Sequence, residues 1–383
     1  MPNVLSIYDP IFYAQEALII LEKALGLAGR VHRAYDKNPQ DKGSVISIRR
    51  PSTFTAQNAP STAQDINAGK VDITLNQWKE VKFALTDKEL SYTQQDIIRE
   101  HIRPAAYALA DNIDQTLAGL YTDIPWFVDG ADPAVVTDLT KTWQVLFDNQ
   151  VPMSDESMIH LMLNGERTAD FLALEAFSNA QWNSQNQATM LRGSLGTRYG
   201  MEIFSNQNVK THVPGTVVTG ADQAGAVVGA HAKGSATLSV GSFAAAETFK
   251  AGDSFVIAGS TQRYAVAADA TLVGGAVVLS ISPPLQNALA GAEVVTVRVQ
   301  GASNRKENLA FHRNAFALAM APLTEMGNEL GARVATLQSP DGTVGLRSRV
   351  FYMPDASEVR VALDVLYGVK TLDANLGCRY NSI

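Results

Sequence analysis

Composition changes abruptly near Pro214, and this break narrows the folds open to the chain. From Val213 to Val297 only eight of 85 residues are charged, eleven are glycine, and none is Trp, Met or Cys. Inside the stretch, "ATLSV", "DSFVIAG", "QRYAVAA", "AVVLSI" and "EVVTVRV" are short β-rich runs separated by Gly, Asp or Pro. Several short strands at such spacing predict a small all-β barrel or sandwich. The flanking segments mix helix and strand patterns. At about 150 residues per domain, 383 residues allow two or three domains. The chain therefore reads as α+β, with an all-β domain inserted in a loop of another.

The N-terminal stretch reads as an arm. "IFYAQEALIILEKALGLAGRV" has apolar residues at Ala17, Ile20, Leu21 and Leu25, a helical spacing. Gly26 and Gly29 end it, which predicts one short helix in an otherwise extended segment. Next, Val45, Ile46 and Ile48 form a β-prone run. Val71, Ile73 and Leu75 alternate with Asp72, Thr74 and Asn76, the strand period of two. A long polar stretch with Pro60 and Gly69 joins the two runs, so they read as a two-stranded hairpin with a loose tip. An isolated two-stranded ribbon is marginal in water, so a partner surface is expected to cover it. Arg49, Arg50 and Lys70 are its candidate intersubunit contacts.

The clearest helix lies between Thr86 and Tyr121. Thr86 with Glu89 forms a possible capping box, and Thr93 with Asp96 a second candidate. Ile98, Ile102, Ala105, Leu109, Ile113, Leu117 and Leu120 make one apolar stripe about 34 Å long. Pro104 removes the bond to the Glu100 carbonyl, which predicts a bend there. Beyond it, "VTDLTKTWQVLFDNQ" is amphipathic. "SMIHLML" reads as a short buried strand stopped by Asn164–Gly165, and "ERTADFLALEAF" as a helix. "SNAQWNSQNQATMLRGSLGTRYG" reads as a polar surface loop. Near the C-terminus, "GLRSRVFYMP" and "EVRVALDVLYGVKTL" read as strands.

"NLAFHRNAFALAMAPL", from Asn308 to Leu323, sets a histidine and an arginine in an apolar run. Large residues alternate with alanine or His312 on each side of "HRN". A helix would put Arg313 on the Leu309–Phe316–Met320 stripe, so strand, turn and strand is the better reading. Catalytic patterns are missing elsewhere. There is no phosphate-loop motif, and "GSLGTRYG" has the wrong glycine spacing for a dinucleotide loop. The six histidines are scattered without metal-ligand spacing. No Gly-x-Ser-x-Gly elbow occurs. Cys378 stands alone, so no intrachain disulfide forms, and it reads as a small buried residue. No catalytic residue, cofactor-binding residue or metal ligand is assigned, and no cofactor is expected. The net charge of -7 argues against a dedicated nucleic-acid binder. The sequence shows no signal peptide pattern and no run of about 18 apolar residues, so no membrane partner is expected.

"ENLAFHRNAFALAMAPL", "LGTRYGMEIFSNQNV" and "ALDVLYGVKTLDANLGCRY" resemble the major capsid proteins of tailed double-stranded DNA phages, in particular short-tailed-phage coat proteins with an inserted β-domain. The resemblance runs through the chain in order. It implies an N-terminal arm at 1–41, an E-loop hairpin at 42–85 and the spine helix of the P-domain at 86–122. The first part of the A-domain follows at 123–212, the inserted β-domain at 213–299, and the A-domain and P-domain return strands at 300–383. It further implies a shell protein without an active site, self-assembling as hexamers and pentamers around packaged DNA bound without sequence specificity. A scaffolding protein and a portal are implied as partners. The implied location is the virion, after assembly in the host cytoplasm. Some relatives cross-link through a Lys–Asn isopeptide bond, and Lys70 stands near the tip, but this subgroup is not expected to cross-link. A bacterial nanocompartment shell, an enzyme with dispersed catalytic residues, and a carbohydrate-binding or decoration protein stay as alternatives.

Overall fold

The computed structural model describes residues 10–33, 43–49, 58–59, 70–86, 98–178, 193–218, 224–243, 247–298, 304–323, 333–339, 344–353, 355 and 358–382. Two compact units emerge, one of Met1–Asp114 with Ala317–Lys370, the other of Gln115–Phe316 with Thr371–Ile383. In chain order, α1 (Pro10–Ala24) precedes β1 (Val45–Arg49), β2 (Lys70–Thr74) and β3 (Gln77–Thr86). Next come α2 (Arg103–Ala118), β4 (Phe127–Asp129), α3 (Val136–Asp148), β5 (Ile159–Leu163), α4 (Gly165–Ala173) and the short α5 (Glu175–Ser178). β6 (Thr197–Arg198), β7 (Met201–Ser205) and β8 (Lys210–His212) lead into the low-charge region. That region holds β9 (Ala224–Val227), β10 (Thr237–Gly241), β11 (Thr248–Phe249), β12 (Ser254–Ile257), β13 (Arg263–Val266), β14 (Ala270–Thr271), β15 (Val277–Ser282) and β16 (Val294–Val297). The chain ends with β17 (Arg305–His312), β18 (Phe316–Ala321), β19 (Arg333–Gln338), β20 (Gly345–Met353), β21 (Glu358–Thr371) and β22 (Gly377–Ser382).

In the first unit, α1 buries Tyr13, Ala14, Ala17, Leu18 and Leu21. The described part of the arm is not extended beyond the helix. Leu27, Ala28 and Val31 are buried too, because the Asp114 carboxylate takes the N–H groups of Gly26, Leu27 and Ala28 at 2.9–3.0 Å. β1 and β2 pair antiparallel, from Val45↔Thr74 to Arg49↔Lys70. Ile46 and Ile73 are cross-strand partners on the buried face, and Ser47 and Asp72 are partners on the exposed one. Gly368 explains how close the ribbon base comes to β21, since a Cβ there would lie 2.4 Å from the Thr74 carbonyl oxygen.

A five-stranded sheet completes this unit, in the order β18-β21-β20-β19, with β3 also on β21. The fully buried carboxylate of Asp364 on β21 fastens three strands. It accepts from Trp78 of β3 at 3.1 Å and from Arg347 of β20, and lies 3.3 Å from Arg349.

The helix differs from the sequence reading at its start. Thr86 is the last residue of β3, because ten residues of that strand are committed to the β21 ladder, so it does not cap a helix. Glu89, Thr93 and Asp96 fall outside the described residues. A π turn, Ile98–Ile102, leads into α2. Ile102, Ala105, Leu109, Ile113 and Leu117 of the stripe are buried, whereas Leu120 is partly buried in the 3-10 turn Gly119–Asp123 and the side chain of Ile98 lies outside the described residues. Pro104 is the second residue of α2, directly after the π turn, in the first turn where a missing N–H is tolerated.

The second unit is built on a seven-stranded sheet in the order β4-β22-β17-β5-β7-β6, with β8 also on β17. β5 is buried at every position, as a central strand covered on both faces must be. Asn164 caps α4 by accepting from the Arg167 N–H at 3.2 Å. The low-charge region forms a closed barrel, β10-β15-β13-β12-β16-β9. Its core gathers Leu238, Val240, Phe255, Ile257, Tyr264, Val266, Leu279, Ile281, Val295 and Val297, every second residue of each strand. The five quoted β-rich runs supply β10, β12, β13, β15 and β16. The sixth strand, β9, carries Gly225, where a Cβ would lie 2.2 Å from the Phe243 ring.

Candidate assembly surfaces

Arg49 and Lys70 form the last cross-strand pair of the ribbon, at the end facing the long connection. The side chain of Arg49 and the whole of Arg50 lie outside the described residues. Lys70 is exposed and its ammonium lies 3.2 Å from the Asp72 carboxylate. The Ser47 hydroxyl donates to Asp72 at 2.5 Å, and these two contacts, Ser47 first, hold its carboxyl below the ordinary range. At this end of the ribbon the exposed Lys70 ammonium is offset in part by one carboxylate.

A second polar concentration lies where the barrel meets the sheet. In the strand registers Glu307 stands opposite Asn381 and Lys210, Arg305 opposite His212, and Arg379 opposite Phe127 and Leu309. Paired residues share a face, so these side chains sit on one side of the sheet. Arg379, fully buried, donates from Nη1 to the Gly252 carbonyl of the barrel at 2.7 Å. His212 Nε2 lies 3.1 Å from Asp253 Oδ1, and its Nδ1 lies 3.3 Å from the Tyr121 hydroxyl. Asp253 also accepts from the Lys250 N–H at 2.7 Å. Two side chains of the sheet therefore hold one barrel turn. Burial pushes the Glu307 carboxyl up, opposed by Arg379 at 4.0 Å. Sequence reasoning found none of this group, whose members carry no common motif.

His312 proves to be a turn residue. Its Nδ1 accepts from the Asn314 N–H at 3.2 Å, capping the 3-10 turn Arg313–Ala315 between β17 and β18. Burial pulls its pKa down, against the attraction of Asp155. Cys378 is buried, and burial pushes its thiol up to about 12. Among the described residues, no group of three His, Cys, Asp or Glu is placed to hold a metal ion. No described helix is long and apolar enough to cross a membrane.

No family model matches the chain, and no curated protein matches it in sequence. Solved structures do. A chain from the capsid of Ralstonia phage GP4 superposes with a TM-score of 0.50 at 10% identity, over 92% of this chain and 86% of that one. A structure from Mycobacterium phage Che8 gives 0.47 at 14% identity, over 88% and 85%. The capsid structure of cyanophage P-SCSP1u gives 0.45 at 10% identity, over 94% and 92%. The likeness to the GP4 chain shows that the two chains share a fold.

Proposed function

We propose that this chain is a major capsid protein, a structural rather than catalytic molecule that self-assembles into the icosahedral shell around a phage genome. The observation that carries the reading is the match over 92% of the chain to a subunit of the Ralstonia phage GP4 capsid. A ribbon of two strands, each with one neighbour, supports it, as an element that another subunit would complete. Hexamers and pentamers are the building units in this proposal, with a scaffolding protein and portal as partners and DNA held without sequence preference. The protein is then a virion component assembled in the host cytoplasm. The ribbon and Pro104 are the assembly elements. The ribbon end, with Arg49, Arg50 and Lys70, meets the carboxylates of a neighbour, and a bend at Pro104, where the π turn passes into α2, sets the curvature of the shell. Electron microscopy of the purified protein, alone and with scaffolding protein, tests the proposal. Closed particles or capsomers are expected, and a protein that stays monomeric in both cases would overturn it.

A further inference from the structure

A cavity of about 280 Å³ lies in the second unit between β4 and the outside of the barrel. The alternation of the barrel strands explains its lining. Phe255, Ile257, Tyr264, Val295 and Val297 point into the barrel core, so their neighbours point outward. Ser254, Val256, Arg263, Thr296 and Arg298 line the cavity from the barrel side, and Phe127 from β4. The registers set Val256 beside both Arg263 and Thr296, and the Arg298 N–H donates to the Ser254 carbonyl at 3.1 Å. Val256 is exposed and Arg263 partly so, which leaves the cavity open to solvent.

Three guanidinium groups surround the single Phe127 ring, that of Arg298 at 3.0 Å, Arg263 at 4.7 Å and Arg379 at 5.9 Å from its centroid. Arg305 stands close by, 2.9 Å from Asp129, which is also paired with Arg298. Four arginines are thus set against two carboxylates, Asp129 and Glu307, and the second of these is held toward its neutral form by burial. Arg263 has no ion-pair partner among the described residues. Burial draws Arg298 down to about 10, Asp129 opposes this, and Arg263, Arg305 and Arg379 add repulsion. Two buried donors of cavity-lining residues also lack acceptors. Ser254 is 1% exposed, and neither its Oγ nor the buried Nη1 of Arg298 has a hydrogen-bond partner. Buried donors without acceptors are rare and call for one. Excess positive charge, planar guanidinium donors and an unused hydroxyl all select the same ligand chemistry.

We propose that this cavity binds a small oxyanion of the phosphate class, held by Arg263 and Arg298 with the Ser254 hydroxyl as third donor. The ligand accepts from the orphaned donors and offsets the arginine cluster without entering the barrel core.

Calorimetric titration of the full chain with inorganic phosphate, at constant ionic strength, tests the site. Saturable one-site binding is expected, weakened about tenfold or more in Arg263→Gln and measurably in Ser254→Ala. Arg313→Gln, at an exposed turn at the opposite end of β17 from Arg305, serves as control and should bind as wild type. Acetate at the same ionic strength should bind more weakly. The proposal is overturned if wild type shows no saturable binding, if acetate and phosphate act alike, or if both cavity variants bind as wild type. Circular dichroism checks each variant, and should Arg263→Gln fail to fold, Ser254→Ala decides the matter.

Discussion

The inserted barrel and the β1–β2 ribbon are both made of short antiparallel strands, but only the barrel closes. In the barrel every strand has two neighbours, and seventeen buried residues share one core. In the ribbon each strand has one neighbour, and Ile46 and Ile73 form its buried cross-strand pair. Closure removes free edges and surrounds the apolar side chains, whereas a ribbon leaves one backbone edge on each strand and one face without cover. Similar local sequence therefore closes on itself in one place and leaves open edges in the other.

The contrast breaks first, and most completely, if the two regions are excised. Residues 213–299 alone should give a dispersed β-type amide spectrum, and a peptide of residues 43–76 should not. A collapsed spectrum from the former, or a dispersed one from the latter, would reverse the comparison. Phe255→Ala should have the next largest effect. The ring is 2% exposed in the barrel core, and its removal should cost about 3–5 kcal/mol in urea unfolding. A loss below about 1 kcal/mol would mean the core rearranges freely.

For the ribbon, the telling change is in assembly. Arg49→Glu with Arg50→Glu should leave the circular dichroism spectrum intact. The critical concentration for assembly should rise by about tenfold or more if the arginines make desolvated contacts worth about 1.5–3 kcal/mol each. The effect should be larger at low salt, where repulsion is less screened. Assembly at the wild-type concentration would take these two residues out of the interface. Pro104→Ala should restore a backbone donor and alter particle size or shape; unchanged particles would remove the bend from the account. Smallest of all is Ser47→Ala. The Asp72 carboxyl should climb back toward its ordinary value, because Ser47 is the main cause of its depression. Carboxyl NMR titration reads this directly. Asp72 is exposed, so the stability it adds above its unfolded pKa, and loses as pH falls, should be slight.

Legibility in the sequence followed how local the cause was. The barrel strands, the α2 stripe and the β17–turn–β18 unit announce themselves by period and by turn residues. β9, with the sequence "AGAV", has no pattern of its own; pairing with β10 and β16 places it, and Gly225 leaves room for the Phe243 ring. At the helix start the two levels conflict, because the cap motif at Thr86 is local and the β21 ladder that claims Thr86 is not. The packed N-terminal segment depends on Asp114, many residues away. At the ribbon the sequence puts Lys70 near the tip, and its pairing with Arg49 comes only with the register. Arg263, Arg298 and Arg379 show no spacing that links them; strand order alone brings them round Phe127.

β21 is fourteen residues long, and its segment from Glu358 to Asp364 is flanked on one side by Thr86 through Glu80 and on the other by Met353 through Arg347. At about 3.3 Å per residue, the whole strand is a rod of roughly 46 Å. Tension along that rod loads both ladders in shear, so their hydrogen bonds must yield together rather than one at a time. A pressurised container made of such subunits would resist stretching best along this strand.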